Sequence, residues 1–314
     1  MMMNSLRVVF MGTPVFAVNI LEGLIENYDV VGVVSQPERK VGRKQVLVNT
    51  PVKECALKHD ILVFQPSNVR EDYKDILDLK PDIIVTCAYG QIIPKEILSY
   101  PRLGCINVHA SLLPKLRGGA PIHRAIIEGY KKTGITIMYM DEKMDTGDII
   151  SIRELDILDN DNLETLQDKL SMLGKELLLD TLPSIIAGTN ERIKQNNDEA
   201  TYAYNIKSEE EHLDLSKSSR EVYDHIRGLS PEPGAYLLLD DQVFKVYNAT
   251  ITDKKINNKK IGEVVGLYKN GIGVMTSTGE IVLTDIKPFG KKRMDARSYI
   301  NGIHDNNLIG KVLK

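Results

Sequence analysis

Residues 82–109 read DIIVTCAYGQIIPKEILSYPRLGCINVH. Two short apolar runs, DIIVTC at 82–87 and CINVH at 105–109, begin and end this stretch. Runs of this length with almost no polar alternation are typical of strands that are buried on both faces of a parallel sheet. The stretch therefore predicts two strands of a sheet that is covered by helices on both sides.

Apolar runs and helix-like segments keep alternating on either side of this stretch. We expect strands at 6–11, 30–35, 61–64, 135–140 and 147–155, and helices at 15–25, 52–58, 71–79 and 163–187. The alternation predicts an α/β domain with a buried parallel sheet. Ligands of such domains bind beyond the carboxyl ends of the strands, so functional residues are expected at 12–14, from 36 onward, at 88–91 and above all at 107–121.

The pattern changes in the last third of the chain. Residues 188–200 are polar and predict a linker. Short strand candidates with turn residues between them follow at 235–239, 243–247, 262–268, 272–276 and 281–286. Strands this short and this closely spaced predict a small β-barrel of the oligonucleotide-binding (OB) type. The predicted organisation is a catalytic domain at 1–189, a linker at 190–207 and a barrel domain at 208–314.

The composition excludes several classes of protein. The chain has 314 residues, of which 42% are hydrophobic and 26% charged, with a net charge of -3. These values are typical of a globular protein rather than a disordered or fibrous one. No apolar run approaches the roughly 18–20 residues that span a bilayer, and MMMNSLRVVF at the start lacks the features of a signal peptide. We therefore expect a cytoplasmic protein with no membrane partner.

Two kinds of cofactor site are not expected. The three cysteines, Cys55, Cys87 and Cys105, lie in apolar contexts typical of buried thiols, and no Cys/His cluster indicates a metal. The segment after the first predicted strand, Gly12-Thr13-Pro14, has only one of the glycines that a dinucleotide-binding turn requires.

A candidate catalytic set lies at the end of the strand predicted at 105–109. Asn107 and His109 are two residues apart, so their side chains share one face, and Asp145 follows the next strand toward the same edge. A carboxamide that donates to an oxyanion, an imidazole that exchanges a proton and a carboxylate that sets the imidazole charge suit acyl transfer. Direct attack by a substrate nucleophile fits better than a covalent intermediate. From spacing alone, a purely structural histidine remains the alternative.

The same segment resembles the formyltransferase family that uses 10-formyltetrahydrofolate. Its Asn-x-His-x-Ser-Leu-Leu-Pro core stands at residues 107–114, and its Asp-x-Gly stands at 145–147. Further segments resemble the members of the family that formylate the methionine of initiator tRNA: FMGTPVFAV, SQPERKVGRKQVLVNTPVK, AYGQIIP, RGGAPI, MDTGDI and GKKRMDARSYINGI. The resemblance covers about residues 7–303.

The resemblance implies a Rossmann-like formyltransferase domain followed by an OB-like domain. It assigns catalysis to Asn107, His109 and Asp145, with Asp145 favouring the imidazolium form of His109. It also implies a folate site, without a metal, lined by Ser111, Leu112, Leu113 and Pro114. Tyr89 and Gly90 are expected to shape the pterin pocket, for which pure packing is the alternative.

Basic residues predict a nucleic-acid contact in two places. Residues 36–50 form an insertion that carries Arg39, Lys40, Arg43 and Lys44 against one acid, Glu38. Residues 226–314 hold 14 Lys and Arg against nine Asp and Glu, among them Lys291 and Lys292. Such residues can contact the phosphates of a tRNA, with Arg43 as the best single candidate. A solvated charged surface is the alternative for both.

Other functions share these features. A glycinamide ribonucleotide formyltransferase has the same core but lacks a second domain. A sugar-amine formyltransferase or a formyltetrahydrofolate hydrolase domain can carry a similar second domain, and the basic insertion argues against both. An RNA-binding protein with a relic formyltransferase fold is disfavoured by the intact catalytic set. The expected partners are initiator Met-tRNA and the folate cosubstrate, bound by a monomer.

Overall fold

The structure is a computed structural model that describes residues 4–41, 45–252, 254, 256–303 and 308–314. The chain divides into two compact units. The first comprises residues 1–121, 132–156 and 167–204, and the second comprises 122–131, 157–166 and 205–314. The domain boundaries at residues 189 and 207 stay a prediction. Most of the segment expected as a linker, residues 190–204 of 190–207, belongs to the first unit.

The elements up to residue 187 are β1 (Asn4–Gly12), α1 (Val18–Asn27), β2 (Tyr28–Val34), β3 (Arg39–Val41), β4 (Val46–Val48), α2 (Pro51–Lys58), β5 (Val63–Phe64), α3 (Lys74–Asp78), β6 (Ile83–Cys87), α4 (Lys95–Leu98), β7 (Cys105–His109), α5 (Pro121–Ile127), β8 (Lys132–Tyr139), β9 (Ile149–Asp156) and α6 (Leu163–Ala187). The remaining elements are α7 (Ser219–Gly228), β10 (Ala235–Leu239), β11 (Gln242–Ile251), β12 (Val264–Tyr268), β13 (Gly271–Met275), β14 (Glu280–Lys287), β15 (Met294–Asp295) and α8 (Ala296–Gly302). None of the described helices is both long and apolar enough to cross a membrane.

The main sheet of the first unit has the strand order β5-β2-β1-β6-β7-β8-β9. The strands from β5 to β7 pair in parallel, whereas β8 and β9 add to the edge in antiparallel orientation. Phe10 of β1 and Ile84 of β6 are fully buried, which explains the apolar runs that predicted these strands.

The strand order reverses at β1, which creates a crevice where the loops after β1 and β6 diverge. The hydroxyl of Thr13, after β1, donates to the carbonyl of Tyr89, after β6, at 2.9 Å. This bond ties the two loops at the edge where ligands of such sheets bind.

The second unit contains a barrel whose sheet has the order β10-β11-β14-β13-β12 in antiparallel pairing. The last residues of the chain join its two edges. Lys314 exchanges backbone hydrogen bonds with Leu238 of β10, and the amide of Leu313 donates to the carbonyl of Gly262, just before β12. These bonds pair strand edges that would otherwise be open. The predicted fold class, an α/β domain followed by a small β domain, is confirmed.

The structure differs from the sequence prediction at three places. The insertion at 36–50, expected as a loop, forms the β3–β4 hairpin in its described part. The helix α7 was not predicted, although Ser218 and Glu221 form a capping box at its start, and this signal is visible in the sequence. The helix expected at 71–79 is shorter, Lys74–Asp78.

Burial also decides the state of two thiols in the main sheet. It raises the pKa of Cys105 to about 12 and also raises the pKa of Cys87. Neither thiol is ionised near neutral pH, so neither is an activated nucleophile.

Candidate active site

The strand β7 places the two central side chains of the site on one face at its carboxyl end. Asn107 is half-buried and pairs in register with Thr86 of β6 and Met138 of β8. His109, the last residue of the strand, is buried at 5% exposure. The spacing predicted this arrangement, because alternate residues of a strand point to the same side.

The amide of Asn107 is oriented by its neighbour on β6. The hydroxyl of Thr86 lies 2.8 Å from Asn107 Oδ1 and donates to it. This bond turns the amide so that its NH₂ group faces away from Thr86, and Nδ2 has no partner among the described residues. An amide donor held in one orientation without an internal acceptor is suited to bind a developing oxyanion.

The imidazole of His109 lies between two acceptors. Its Nε2 is 3.0 Å from the carbonyl oxygen of Leu116, and its Nδ1 is 3.7 Å from Oδ1 of Asp145. These two contacts fix the orientation of the ring, with Nε2 toward the carbonyl and Nδ1 toward the carboxylate. Nδ1 can therefore exchange a proton with a substrate while the ring stays anchored through Nε2.

The carboxylate of Asp145 is also held by the backbone. The backbone amide of Gly118 donates to Oδ2 at 2.8 Å, and Asp145 has a left-handed φ of 54°. Gly118 itself has a φ of 120°, and a Cβ at this position would lie 2.8 Å from the carbonyl oxygen of Ala203. The glycine of the RGG segment is therefore required by a close backbone approach.

The residues predicted to line the folate site lie in the turn that follows β7. The hydroxyl of Ser111 donates to the carbonyl of Lys115 at 2.6 Å, so it stabilises the turn itself. Leu113 is buried with Met138 and Ile149, while Leu112 and Pro114 are half-buried. Leu112 and Pro114 are thus the members of this set with surface left for a ligand.

Tyr89 and Gly90 lie at the crevice after β6. The side chain of Tyr89 is 4% exposed and packs in the core with Val9 and Ile93, and burial raises the pKa of its hydroxyl. Its hydroxyl has no hydrogen-bond partner in the described part of the chain. Gly90 is exposed with a φ of 91°, so it forms the surface of this loop.

The basic residues predicted to contact tRNA are exposed wherever they are described. Arg39 and Lys40 lie on β3, and Lys291 and Lys292 lie in the turn between β14 and β15. Arg43 and Lys44 lie outside the described residues, so their assignment stays a prediction. Among the residues that are described, no group of three or more His, Cys, Asp and Glu could hold a metal ion.

Comparison with known proteins identifies the family. Residues 6–182 match the formyl transferase domain, and residues 205–304 match the formyl transferase C-terminal domain. The chain belongs to the formyltransferase family. A methionyl-tRNA formyltransferase of Bacillus subtilis strain 168 is 53% identical over 305 residues, which cover 95% of each chain. One of Staphylococcus aureus strain MW2 is 49% identical over 311 residues, 98% of this chain and 99% of its own.

The formyltransferase fold also occurs in a solved structure of lower sequence similarity. An N-formyltransferase from Helicobacter canadensis, solved with folinic acid and dTDP-3-aminofucose, has a TM-score of 0.65 at 21% identity and covers 88% of this chain and 98% of its own. At this identity the comparison establishes the fold alone.

Sequence reasoning missed three residues that touch the formyltransferase site. Thr86 gave no signal, because it is one hydroxyl in an apolar strand. Gly118 was visible in the RGG segment but was not assigned. Gln195 donates to the carbonyls of Asp145 and Gly147 at 2.9 and 2.8 Å, yet it lies in the polar stretch predicted as a linker.

Proposed function

We propose that the protein transfers the formyl group of 10-formyltetrahydrofolate to the α-amino group of methionine on initiator Met-tRNA. The observation that carries the proposal is the contact between buried His109 and half-buried Asp145, at the edge of the sheet where the amide of Asn107 is oriented. The methionyl-tRNA formyltransferase relatives at 49% and 53% identity support the choice of acceptor.

The three side chains divide the chemistry of acyl transfer between them. The amino group attacks the formyl carbon in its neutral form, and negative charge develops on the formyl oxygen. Nδ2 of Asn107 donates to that oxygen, and preorganised donors of this kind contribute about 10²–10³ in rate. His109 gives a proton from Nδ1 to the departing nitrogen of the donor as the bond between that nitrogen and the formyl carbon breaks, and the neutral imidazole takes up the proton that the attacking amine loses. Asp145 stabilises the imidazolium before and after this exchange.

The crevice between β1 and β6 suits the folate cosubstrate. Leu112, Pro114 and Gly90 offer surface at the edge where ligands of parallel sheets bind, next to Asn107. Ser111 and Leu113 shape the turn from inside.

In this proposal, Lys and Arg side chains of both units hold the tRNA. Arg39, Lys40, Arg43 and Lys44 of the insertion contact the acceptor end, and Lys291 and Lys292 contact the backbone farther along the tRNA. Exposed Lys and Arg neutralise phosphates without reading sequence, so they position the RNA. We further propose that the protein acts in the cytoplasm as a monomer.

The test is a formylation assay with three acceptors. The purified protein is given 10-formyltetrahydrofolate with initiator Met-tRNA, with elongator Met-tRNA or with a dTDP-amino-sugar, and formyl-methionine or formyl-sugar is quantified. We expect initiator Met-tRNA to be formylated with the highest kcat/KM. Preferred formylation of the sugar would refute the assignment of the acceptor, and release of formate without any acceptor would indicate a hydrolase.

A further inference from the structure

The segment 193–203, here called the strap, lies along the candidate active site. It joins the turn that follows β7 to the loop that carries Asp145. On one side it pairs with the turn that contacts His109. The amides of Leu116 and Arg117 donate to Oγ1 and to the carbonyl of Thr201, both at 2.9 Å. The amide of Ala203 donates to the carbonyl of Arg117 at 2.7 Å. The carbonyl of Leu116 that anchors His109 is therefore fixed by the strap.

On its other side the strap holds the loop that carries Asp145. The side-chain NH₂ of Gln195 donates to the carbonyls of Asp145 and Gly147, at 2.9 and 2.8 Å. Ile193 exchanges backbone hydrogen bonds with Ile149 at the start of β9, 2.8 and 2.9 Å long. Asp145, whose φ is left-handed, thus accepts hydrogen bonds at its backbone carbonyl as well as at its carboxylate.

A buried guanidinium fixes the orientation of Gln195. Arg117 is 2% exposed, and its Nε and Nη2 donate to Gln195 Oε1 at 3.0 and 2.8 Å. Its Nη2 also donates to Oδ1 of Asn197 at 2.9 Å. A cation at the amide oxygen forces the amide nitrogen toward Asp145 and polarises its N–H bonds, which strengthens them as donors.

We propose that Gln195 is a positioning residue for the reaction, acting through Asp145. It holds the backbone of Asp145 in a left-handed conformation that L-residues rarely adopt, and this conformation keeps Oδ1 facing Nδ1 of His109. The inference rests on the proposed function, because it assigns Gln195 to the same formyl transfer. Gln195 touches neither His109 nor any substrate in this role.

The experiment compares Gln195→Ala and Gln195→Glu with the wild type. Gln195→Glu keeps an acceptor for Arg117, so the buried cation stays paired, but it removes the NH₂ group from the two carbonyls. We expect both variants to lose about tenfold in kcat, the size of one or two net hydrogen bonds, with KM for Met-tRNA and for the folate within about twofold of wild type. The matched control is Asn196→Ala. Among the described residues its side chain hydrogen-bonds to Asp198 and Glu199 of the same strap and to none of the loops of the site, so this variant should keep wild-type kcat.

A double-mutant cycle separates positioning from general support of the fold. In an Asp145→Ala background, Gln195→Glu should cause little further loss of kcat, because the residue it positions is gone. Hydrogen exchange of peptides covering residues 145–147 should rise in Gln195→Glu and stay unchanged in Asn196→Ala. Wild-type kcat in folded Gln195→Glu, or an equal loss with and without Asp145, would overturn the proposal.

The outcomes for the two proposals are distinguishable. If the wild-type protein formylates no Met-tRNA, the proposed function fails, whatever the variants do. If the wild type is active and Gln195→Glu equals it, the proposed function stands and the role of Gln195 is refuted.

Discussion

The carboxyl edge of the main sheet and the basic surface differ in how their functional side chains are held. His109 is buried and lies between Leu116 and Asp145 at fixed distances, whereas Lys40 and Lys292 are exposed. A buried catalytic group depends on a fixed position relative to its neighbours, and a single substitution destroys that arrangement. An exposed cation acts through its electrostatic field. Neighbouring charges contribute to the same field, and dissolved salt screens it. The two regions should therefore respond to substitution very differently.

The largest effect is expected at the buried pair. His109→Ala should lower kcat by at least about 10², because the proton donor is lost while the amide of Asn107 remains. Asn107→Ala and Asp145→Ala should cost similar amounts, and the losses should not add, since the three act on one transition state. Steady-state kinetics of the folded variants measure this. The exposed His59→Ala is the matched control, and normal turnover in His109→Ala would contradict the mechanism.

A smaller loss of kcat is expected for Thr86, which contacts Asn107 but not the reacting groups. Thr86→Val removes the hydroxyl that orients Asn107 without changing the volume of the side chain, and kcat should fall by about tenfold or less. Thr133→Val is the matched control, because the hydroxyl of Thr133 is buried without a partner among the described residues. Thr133→Val should leave kcat unchanged and keep or raise the melting temperature. Equal kcat values for the two variants would show that Asn107 needs no orienting bond.

The basic hairpin should show a different kind of loss. Arg39→Ala with Lys40→Ala should raise KM for Met-tRNA several-fold and leave kcat and folate binding near wild type, because exposed cations position the RNA. The slope of log affinity against log salt should become shallower by about one for each phosphate that the variant no longer neutralises. Binding titrations at a series of salt concentrations measure this. A loss of folate binding with an unchanged salt slope would move the hairpin into the folate site.

The smallest effect is expected in the turn of the barrel. Lys291→Ala with Lys292→Ala should raise KM for Met-tRNA about two- to threefold, since exposed charges contribute little individually. Part of the charge in this turn is already compensated: Lys291 lies 5.2 Å from the ring centroid of Tyr299, and neighbouring Arg293 pairs with Asp285. Lys269→Ala, in the turn between β12 and β13, serves as a control that removes one exposed lysine elsewhere on the barrel. A tenfold effect on kcat would contradict a role in affinity alone.

Much of the architecture is predictable because its signals are local. Buried strands need continuous apolar runs, so β1, β6 and β7 appear in the sequence, and α6 is predicted with its observed bounds. Alternation along one strand also puts Asn107 and His109 on one face without knowledge of any other element. The hairpin at 36–50 escapes prediction because its described apolar residues, Val46 to Val48, are exposed and show no alternating burial.

The type of fold, the family and the shared face of Asn107 and His109 can be predicted from patterns within single segments, and the place of Asp145 follows from the rule that functional residues lie at the strand ends. What holds those side chains depends on tertiary packing. Thr86 meets Asn107 through strand register, and Gln195 meets Asp145 across 50 residues of sequence. The edges of the barrel likewise meet only through Leu313 and Lys314. Such pairings depend on how distant segments pack, and the local pattern of a segment carries no information about its distant partner.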